Sequence, residues 1–269
     1  MQSHNIIWIA FVASALRYFL FAGLSYMLFY IWKKQKFERF KIQTAEPKKS
    51  VVNTELKYSI STIFIFALVA LLFMRSPVNE YTRVYHHLGD HSVWYFMFSV
   101  LAAIFMHDTY FYWTHRLMHW KRIFPYVHHI HHKSHNPTPL AAFSFHPLEA
   151  LIEIGVLPVI LFTLPIHPLA VGIFGFYMIV LNVIGHLGYE LMPESFMQRK
   201  ILRLMNTSTH HNMHHHYSKC NYGLYFSIWD RLMGTLHKQY ESTFKNVARR
   251  ARNTTNQQKL NQQFKISNS

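Results

Sequence analysis

Charge is scarce in this sequence. Asp, Glu, Lys and Arg make up 14% of its 269 residues, against roughly a quarter in soluble domains. Acidic residues are the scarcer kind: 12 Asp and Glu stand against 27 Lys and Arg, a formal net charge of +15. Such a balance often marks a nucleic-acid binder. Here the basic residues flank long apolar runs instead of covering a compact polar domain, so a positive-inside bias accounts for them and no nucleic-acid partner is expected. Cysteine is nearly absent. Cys220 alone excludes an intramolecular disulfide, a zinc ribbon and a thiolate iron–sulfur cluster within one chain. Also missing are a G-x-G-x-x-G after a strand, a P-loop and a fused haem domain. No basic stretch precedes the first apolar run, which extends from Ile6 to about Trp32. That run is too long for a signal peptide and reads as a retained anchor.

What the chain has instead is apolar surface: 51% hydrophobic and 17% aromatic residues. Residues 6–32, 58–74 and 92–113 are three apolar segments, each near the roughly 20 residues a span needs. Arg17 interrupts the first, as a snorkelling or bundle-paired residue. Residues 148–164 and 168–185 form an apolar hairpin about Leu164-Pro165-Ile166-His167-Pro168, either crossing fully or re-entrant. The basic loop 33–57 reads as cytosolic and 75–91 as the opposite side, so the third segment returns to the cytosolic face. The sequence therefore predicts an all-α, polytopic membrane helical bundle with a cytosolic histidine-box cap. Residues 1–245 are expected as one domain and the polar, basic tail 246–269 as disordered.

Histidines carry the chemistry. His115 and His119 are four apart, one helical face, so both rings can point at one object. His128-x-x-His131-His132 follows, and the grammar returns in His211-x-x-His214-His215. Neutral imidazole is the commonest protein nitrogen ligand for a metal. Eight rings exceed the four that a structural zinc takes and suit two metals. His186 ends an apolar helix where the boxes are expected and joins them as a candidate ligand. Glu190, four residues on, is a candidate ligand or an acceptor behind one. His210 and His216 read as bystanders. Asp108 and Tyr112 share the helical face of the first box and are candidate partners for its rings; His146 is ambiguous between ligand and support. Arg116, Trp229 and Asp230 read as structural, with Asp230 the candidate ion-pair partner of Arg116, and Glu149 similarly as structural.

In combination, DTYFYWTHRLMH, YVHHIHH with NPTPLAAFSFHPLE, and THHNMHHH followed by NYG and WDRLMGT resemble the motifs of the fatty acid hydroxylase / sterol desaturase superfamily, membrane non-haem di-iron enzymes. The resemblance covers roughly Asp108 to Thr235. It implies a ligand set of His115, His119, His128, His131, His132, His186, His211, His214 and His215. Some members have a further histidine where this chain has Glu190. The SFHPLE segment is more similar to sterol-type desaturases. The resemblance implies two irons, O2 as co-substrate, and hydroxylation or desaturation of a membrane lipid, a sterol or else a carotenoid, sphingoid base, fatty acyl chain or alkylglycerol. It also implies a separate electron donor of the ferredoxin or cytochrome b5 type, and residence in a bacterial inner membrane or the endoplasmic reticulum. The other class of reading is a non-enzymatic metal-binding or transport protein. Transport would put ionisable ligands near the bilayer midplane, whereas these boxes follow the spans. A third reading, an inactive member of the family, has all the box histidines against it.

Overall fold

Proline and polar caps set where the long helices start and stop. A computed structural model describes residues 3–267. The first apolar run is helical over 3–32 (α1), widening to π-helix at Phe19–Gly23 and Met27–Trp32. α2 (Lys49–Arg75) follows Pro47 and stops at Ser76, which Pro77 keeps extended. α3 (Val93–Met118) starts at Ser92, whose hydroxyl accepts the Tyr95 amide. α4 (Pro147–Ile154) and α5 (Val156–Thr163) form one arm of the hairpin, and α6 (Pro168–Gly185) the other. α6 begins with Pro168, and the His167 ring accepts from the Leu169 amide. α7 (Ser208–Tyr217) carries the third box and ends at Ser218, in the left-handed region at φ 60°. α8 (Tyr240–Ser267) closes the chain. Among the described residues there is no β-strand, only isolated bridges.

Among the described residues, 11–32, 49–73 and 168–185 are the three helical stretches long and apolar enough to cross a membrane. α3 is not among them, because His107, Asp108, His115 and Arg116 dilute its C-terminal half. Its outer face is nonetheless an apolar row of Trp94, Phe98, Leu101 and Phe105, all exposed. Similar rows run along α1 (Leu16, Leu20, Leu24) and α2 (Phe64, Leu68, Leu72). Apolar patches of this extent suit a hydrocarbon surrounding rather than water. The hairpin runs as deep as its neighbours. Its turn meets the loop before α3: Arg83 N donates to Leu161 O at 2.7 Å, and Tyr85 N to Ile166 O at 3.2 Å. The Tyr95 hydroxyl donates to Pro165 O at 3.0 Å. Its first arm is not one helix, however. It breaks at Gly155, where a Cβ would come within 2.5 Å of the Tyr110 hydroxyl.

At the opposite end a buried strap, residues 138–145, built on a 3-10 turn at Pro139–Phe143, crosses α1, α2 and α6. Its backbone is satisfied by side chains, as burial requires. Tyr18 and Ser59 hydroxyls both donate to Leu140 O at 2.8 Å, and Asn182 Nδ2 to Ala142 O at 2.8 Å. Glu55 accepts from the amide and hydroxyl of Thr138. The strap thereby fixes the height at which the second box sits.

The tail differs from expectation. Its Asn, Gln, Lys and Arg content argues for disorder, yet α8 runs through it to Ser267; residues 268 and 269 lie outside the described residues. Tyr240, Phe244, Val247, Ala248 and Ala251 repeat at helical spacing and are buried, with Tyr240 and Phe244 packed on Met197 and Met213. This packing ties the first turns of α8 to α7.

Candidate metal centre

Four elements deliver the predicted rings to one place. His115 lies in the last turn of α3 and His119 just past its end. His128, His131 and His132 follow a short helix, Phe124–Val127; His186 follows α6; His211, His214 and His215 lie on α7. All nine are buried except His119, which is half-buried. They fall into two groups: His115, His119, His128, His132 and His214, and then His131, His186, His211 and His215. Within each, one ligand nitrogen per ring lies within 4.8 Å of all the others. Boxes and groups do not coincide. His131 parts from His128 and His132, and His214 parts from His211 and His215, which sit i and i+4 on one face of α7.

The Nε2 atoms converge. In the first group His115–His128 is 3.0 Å, His119–His214 3.1 Å and His132–His214 3.0 Å. In the second, His186–His211 is 2.9 Å, His211–His215 3.1 Å and His131–His186 3.3 Å. On four of the rings a backbone carbonyl holds the opposite nitrogen, whereas Nδ1 of His215 has no partner. Nδ1 of His115 donates to Tyr222 O at 2.9 Å, of His214 to Cys220 O at 2.7 Å, of His186 to Asn182 O at 2.9 Å and of His131 to Ser144 O at 3.3 Å. A carbonyl only accepts, so these rings carry their proton on Nδ1 and turn a bare lone pair inward. Burial pushes His115 and His186 down to about 4 and holds the other seven well below the ordinary histidine value, with neighbouring rings adding to the effect. Neutral rings whose lone pairs face one another across about 3 Å fit a cation between them. A metal–nitrogen bond of about 2.0–2.1 Å sets adjacent ligands at that spacing.

Support around the rings differs in part from the sequence reading. Glu149 holds His128, with Oε1 at 2.7 Å from Nδ1, and the Ser218 hydroxyl meets His132 Nδ1 at 3.1 Å. Neither role has a spacing signal in the sequence. Tyr222 covers the first group, its ring centroid 5.1 Å from that of His119; burial pushes its hydroxyl up to about 12. Asp108 is on the expected face of α3 but two turns, about 10 Å, too far along the axis. Its Oδ1 accepts the amides of Tyr225 and Phe226 at 2.7 and 3.1 Å. The Tyr112 hydroxyl is paired with Thr235 Oγ1 at 2.9 Å and accepts from Arg116 at 3.3 Å. His146 caps α4 by accepting the Leu148 amide. Glu190 joins neither group; its carboxylate accepts the Thr209 amide and hydroxyl at 3.0 and 2.7 Å and so caps α7. Trp229 donates to Thr109 Oγ1 at 3.1 Å and stacks on Tyr112.

Arg116 does not pair with Asp230. The ion-pair partner of Asp230 is His210 Nε2 at 3.2 Å, and the carboxylate also accepts from the Tyr222 and Gly223 amides, each at 2.8 Å. Burial opposes its charge, yet His210 and these donors hold Asp230 down at about 2. His210, read as a bystander, thus anchors the loop that bears Tyr222 and Cys220.

The chain matches the model of a family described as fatty acid hydroxylase over residues 100–235, half its length. It is similar to a lathosterol oxidase of Mus musculus, 28% identical over 237 residues, covering 87% of this chain and 75% of the relative. It is also similar to a Delta(7)-sterol 5(6)-desaturase of Gibberella zeae, 28% identical over 234 residues, covering 87% of this chain and 69% of the relative. The lathosterol oxidase of Homo sapiens is 24% identical over 237 residues, covering 87% and 75%. No solved structure matches.

Proposed function

Because the chain belongs to the fatty acid hydroxylase family, we propose that it is a di-iron, O2-dependent oxidoreductase that desaturates or hydroxylates a membrane lipid, with a sterol as the first candidate. The observation that carries this reading is the convergence of nine Nε2 atoms into groups of five and four. His115, His119, His128, His132 and His214 would hold one iron, and His131, His186, His211 and His215 the other. Once bound, the irons would supply the redox chemistry that reduces O2 and oxidises a C–H bond, which zinc does not offer.

The rest is done by the chain's own residues. The carbonyls of Tyr222, Cys220, Asn182 and Ser144 fix the tautomer, keeping Nε2 free to ligate. Phe111, Phe145 and Asn182 line a cavity of about 250 Å³ among the helices. The Phe111 ring is 4.8 Å from His115, Phe145 is 5.3 Å from His131, and Asn182 O accepts from His186. A substrate seated there would lie against side chains that touch both halves of the centre. The relatives' printed names, a lathosterol oxidase and a sterol desaturase, favour a sterol in that seat. Residues 1–245 would act as one membrane unit with the boxes on the cytosolic face. Electrons would come from a separate ferredoxin- or cytochrome b5-type carrier. It would dock where His119, the least buried of the nine, lies beside exposed Lys121 and Arg122.

The test is comparative lipid extraction. Cells expressing the chain with a competent donor should gain a sterol with a new double bond or hydroxyl, read by mass spectrometry, and cells expressing His131→Ala should not. Identical lipid profiles in all classes would overturn the proposal.

A further inference from the structure

Aromatic rings form an unbroken path from the first histidine group to the surface. Tyr222 lies against His119, His214 and His115, with ring centroids 5.1, 5.6 and 5.7 Å away. Tyr112 follows at 6.3 Å, and Trp229 stacks on Tyr112 at 6.0 Å. Trp113 meets Trp229 at 5.7 Å and Tyr112 at 5.4 Å. Tyr112 is fully buried, whereas Trp113 is 43% exposed. Most ring contacts in a bundle only pack. What sets this path apart is a proton route at its middle. The Thr235 hydroxyl spends its one proton on Asp230 Oδ1 at 2.7 Å, and Arg116 can only donate to the Tyr112 oxygen. In the 2.9 Å contact between Tyr112 and Thr235 the phenol is therefore the donor. Its O–H points along a line that ends on a buried carboxylate.

We propose that this path drains oxidising equivalents from the loaded centre to the surface, with Tyr112 as its redox-active residue. The inference rests on the di-iron reading, with O2 as the terminal oxidant. Phenol and indole give up an electron only to a strong oxidant, so the path suits removal of oxidising power and not delivery of electrons from a reducing carrier. When no C–H bond is in reach, the two electrons that substrate would have given must come from the protein. One electron leaves Tyr112 across the Tyr222 ring. A phenol stripped of an electron is strongly acidic, so its proton moves to Thr235 while the proton of Thr235 moves to Asp230. The neutral tyrosyl radical then takes an electron through Trp229 and Trp113 from a one-electron reductant outside, of the ascorbate or hydroquinone class. Its proton returns from Asp230. Two such cycles complete the reduction of O2 to water, with protons from solvent, and leave the chain unchanged.

The experiment is rapid-freeze electron paramagnetic resonance on the full chain in detergent, without lipid. The protein is loaded with iron anaerobically, reduced stoichiometrically and mixed with O2, and iron content is measured on the same samples. The wild type should give an organic radical whose signal changes when its tyrosines are deuterated. Tyr112→Phe, which keeps the ring, should lose the signal at wild-type iron content; Tyr222→Phe should retain it. After repeated cycles without reductant, peptide mass spectrometry should find oxidised Trp113 in the wild type and oxidised histidine ligands in Tyr112→Phe. Trp113→Leu alters only an exposed position and carries the test if Tyr112→Phe folds poorly: its radical should form normally and be quenched by ascorbate more slowly than in the wild type. A radical that survives in Tyr112→Phe, a radical on another residue type, or unchanged quenching in Trp113→Leu overturns the relay. An iron-loaded wild type with neither radical nor oxidised Trp113 overturns the relay alone and leaves the di-iron reading standing. A chain that takes up no iron overturns both.

Discussion

His128 and Glu149 meet in full burial, Nδ1 to Oε1 at 2.7 Å, with side chains 2% and 0% exposed. The carboxylate fixes the ring's tautomer and aims Nε2 at His115, 3.0 Å away. Replacing a partner of this kind typically costs about 10–100-fold in metal affinity or activity. Glu149→Gln should therefore lose iron under dilution and turn over about 10–100-fold more slowly. Wild-type iron retention and rate in that variant would remove Glu149 from the account.

Glu190 acts on a helix instead of a ring. Removing a cap costs about 1 kcal/mol, so Glu190→Ala should lower Tm while its iron content, measured at saturating iron, stays at the wild-type level. Loss of one iron per chain at saturation would make Glu190 a ligand after all.

The sequence exposes the rings more clearly than their allocation. Spacing puts His115 and His119 on one face, and the end of an apolar helix brings in His186. Spacing does not say that adjacent His131 and His132 diverge into different groups, because that depends on a single 3-10 turn, His131–Lys133, meeting α6 and α7. Asp108 shows the other limit: periodicity fixes the face of a residue and says nothing of its height along the helix. Glu149, 21 residues from His128, is joined to it only by the strap that carries α4 back under the second box. The apolar runs forecast the long helices but not the break at Gly155, which answers to the Tyr110 hydroxyl across the bundle.

Topology follows from two contacts at opposite ends. Arg250 Nε donates to Arg39 O at 3.3 Å, so α8 lies beside the 33–57 loop. Val84 pairs with Ile166 at the far end of α3 and α6. Reporters in 33–57 and at Ser269 should be on the same, cytosolic side, and one in 75–91 on the other. Finding Ser269 across the membrane from 33–57 would break this arrangement.

Lys121, Arg122, Lys133, Arg199, Lys200 and Arg203 are exposed around the boxes. An acidic carrier would be steered by such a patch and less so as salt screens it. Turnover with the protein donor should fall from low to physiological ionic strength, and fall further when Lys121, Arg122 and Lys200 are neutralised. Turnover with a saturating artificial reductant should barely change. If neutralisation leaves donor-driven rates and their salt dependence intact, the donor docks elsewhere.

The central claim is that each histidine group holds one iron. It is tested most directly by iron content after anaerobic loading, with X-ray absorption at the iron edge to identify the ligands. The account predicts close to two irons per chain, one for each group, in a nitrogen shell with imidazole scattering and no sulfur. It also predicts loss of bound iron and all turnover in His131→Ala and His214→Ala, and neither loss in His237→Ala. A single iron per chain, a sulfur-containing shell, or a fully active His131→Ala protein would contradict it.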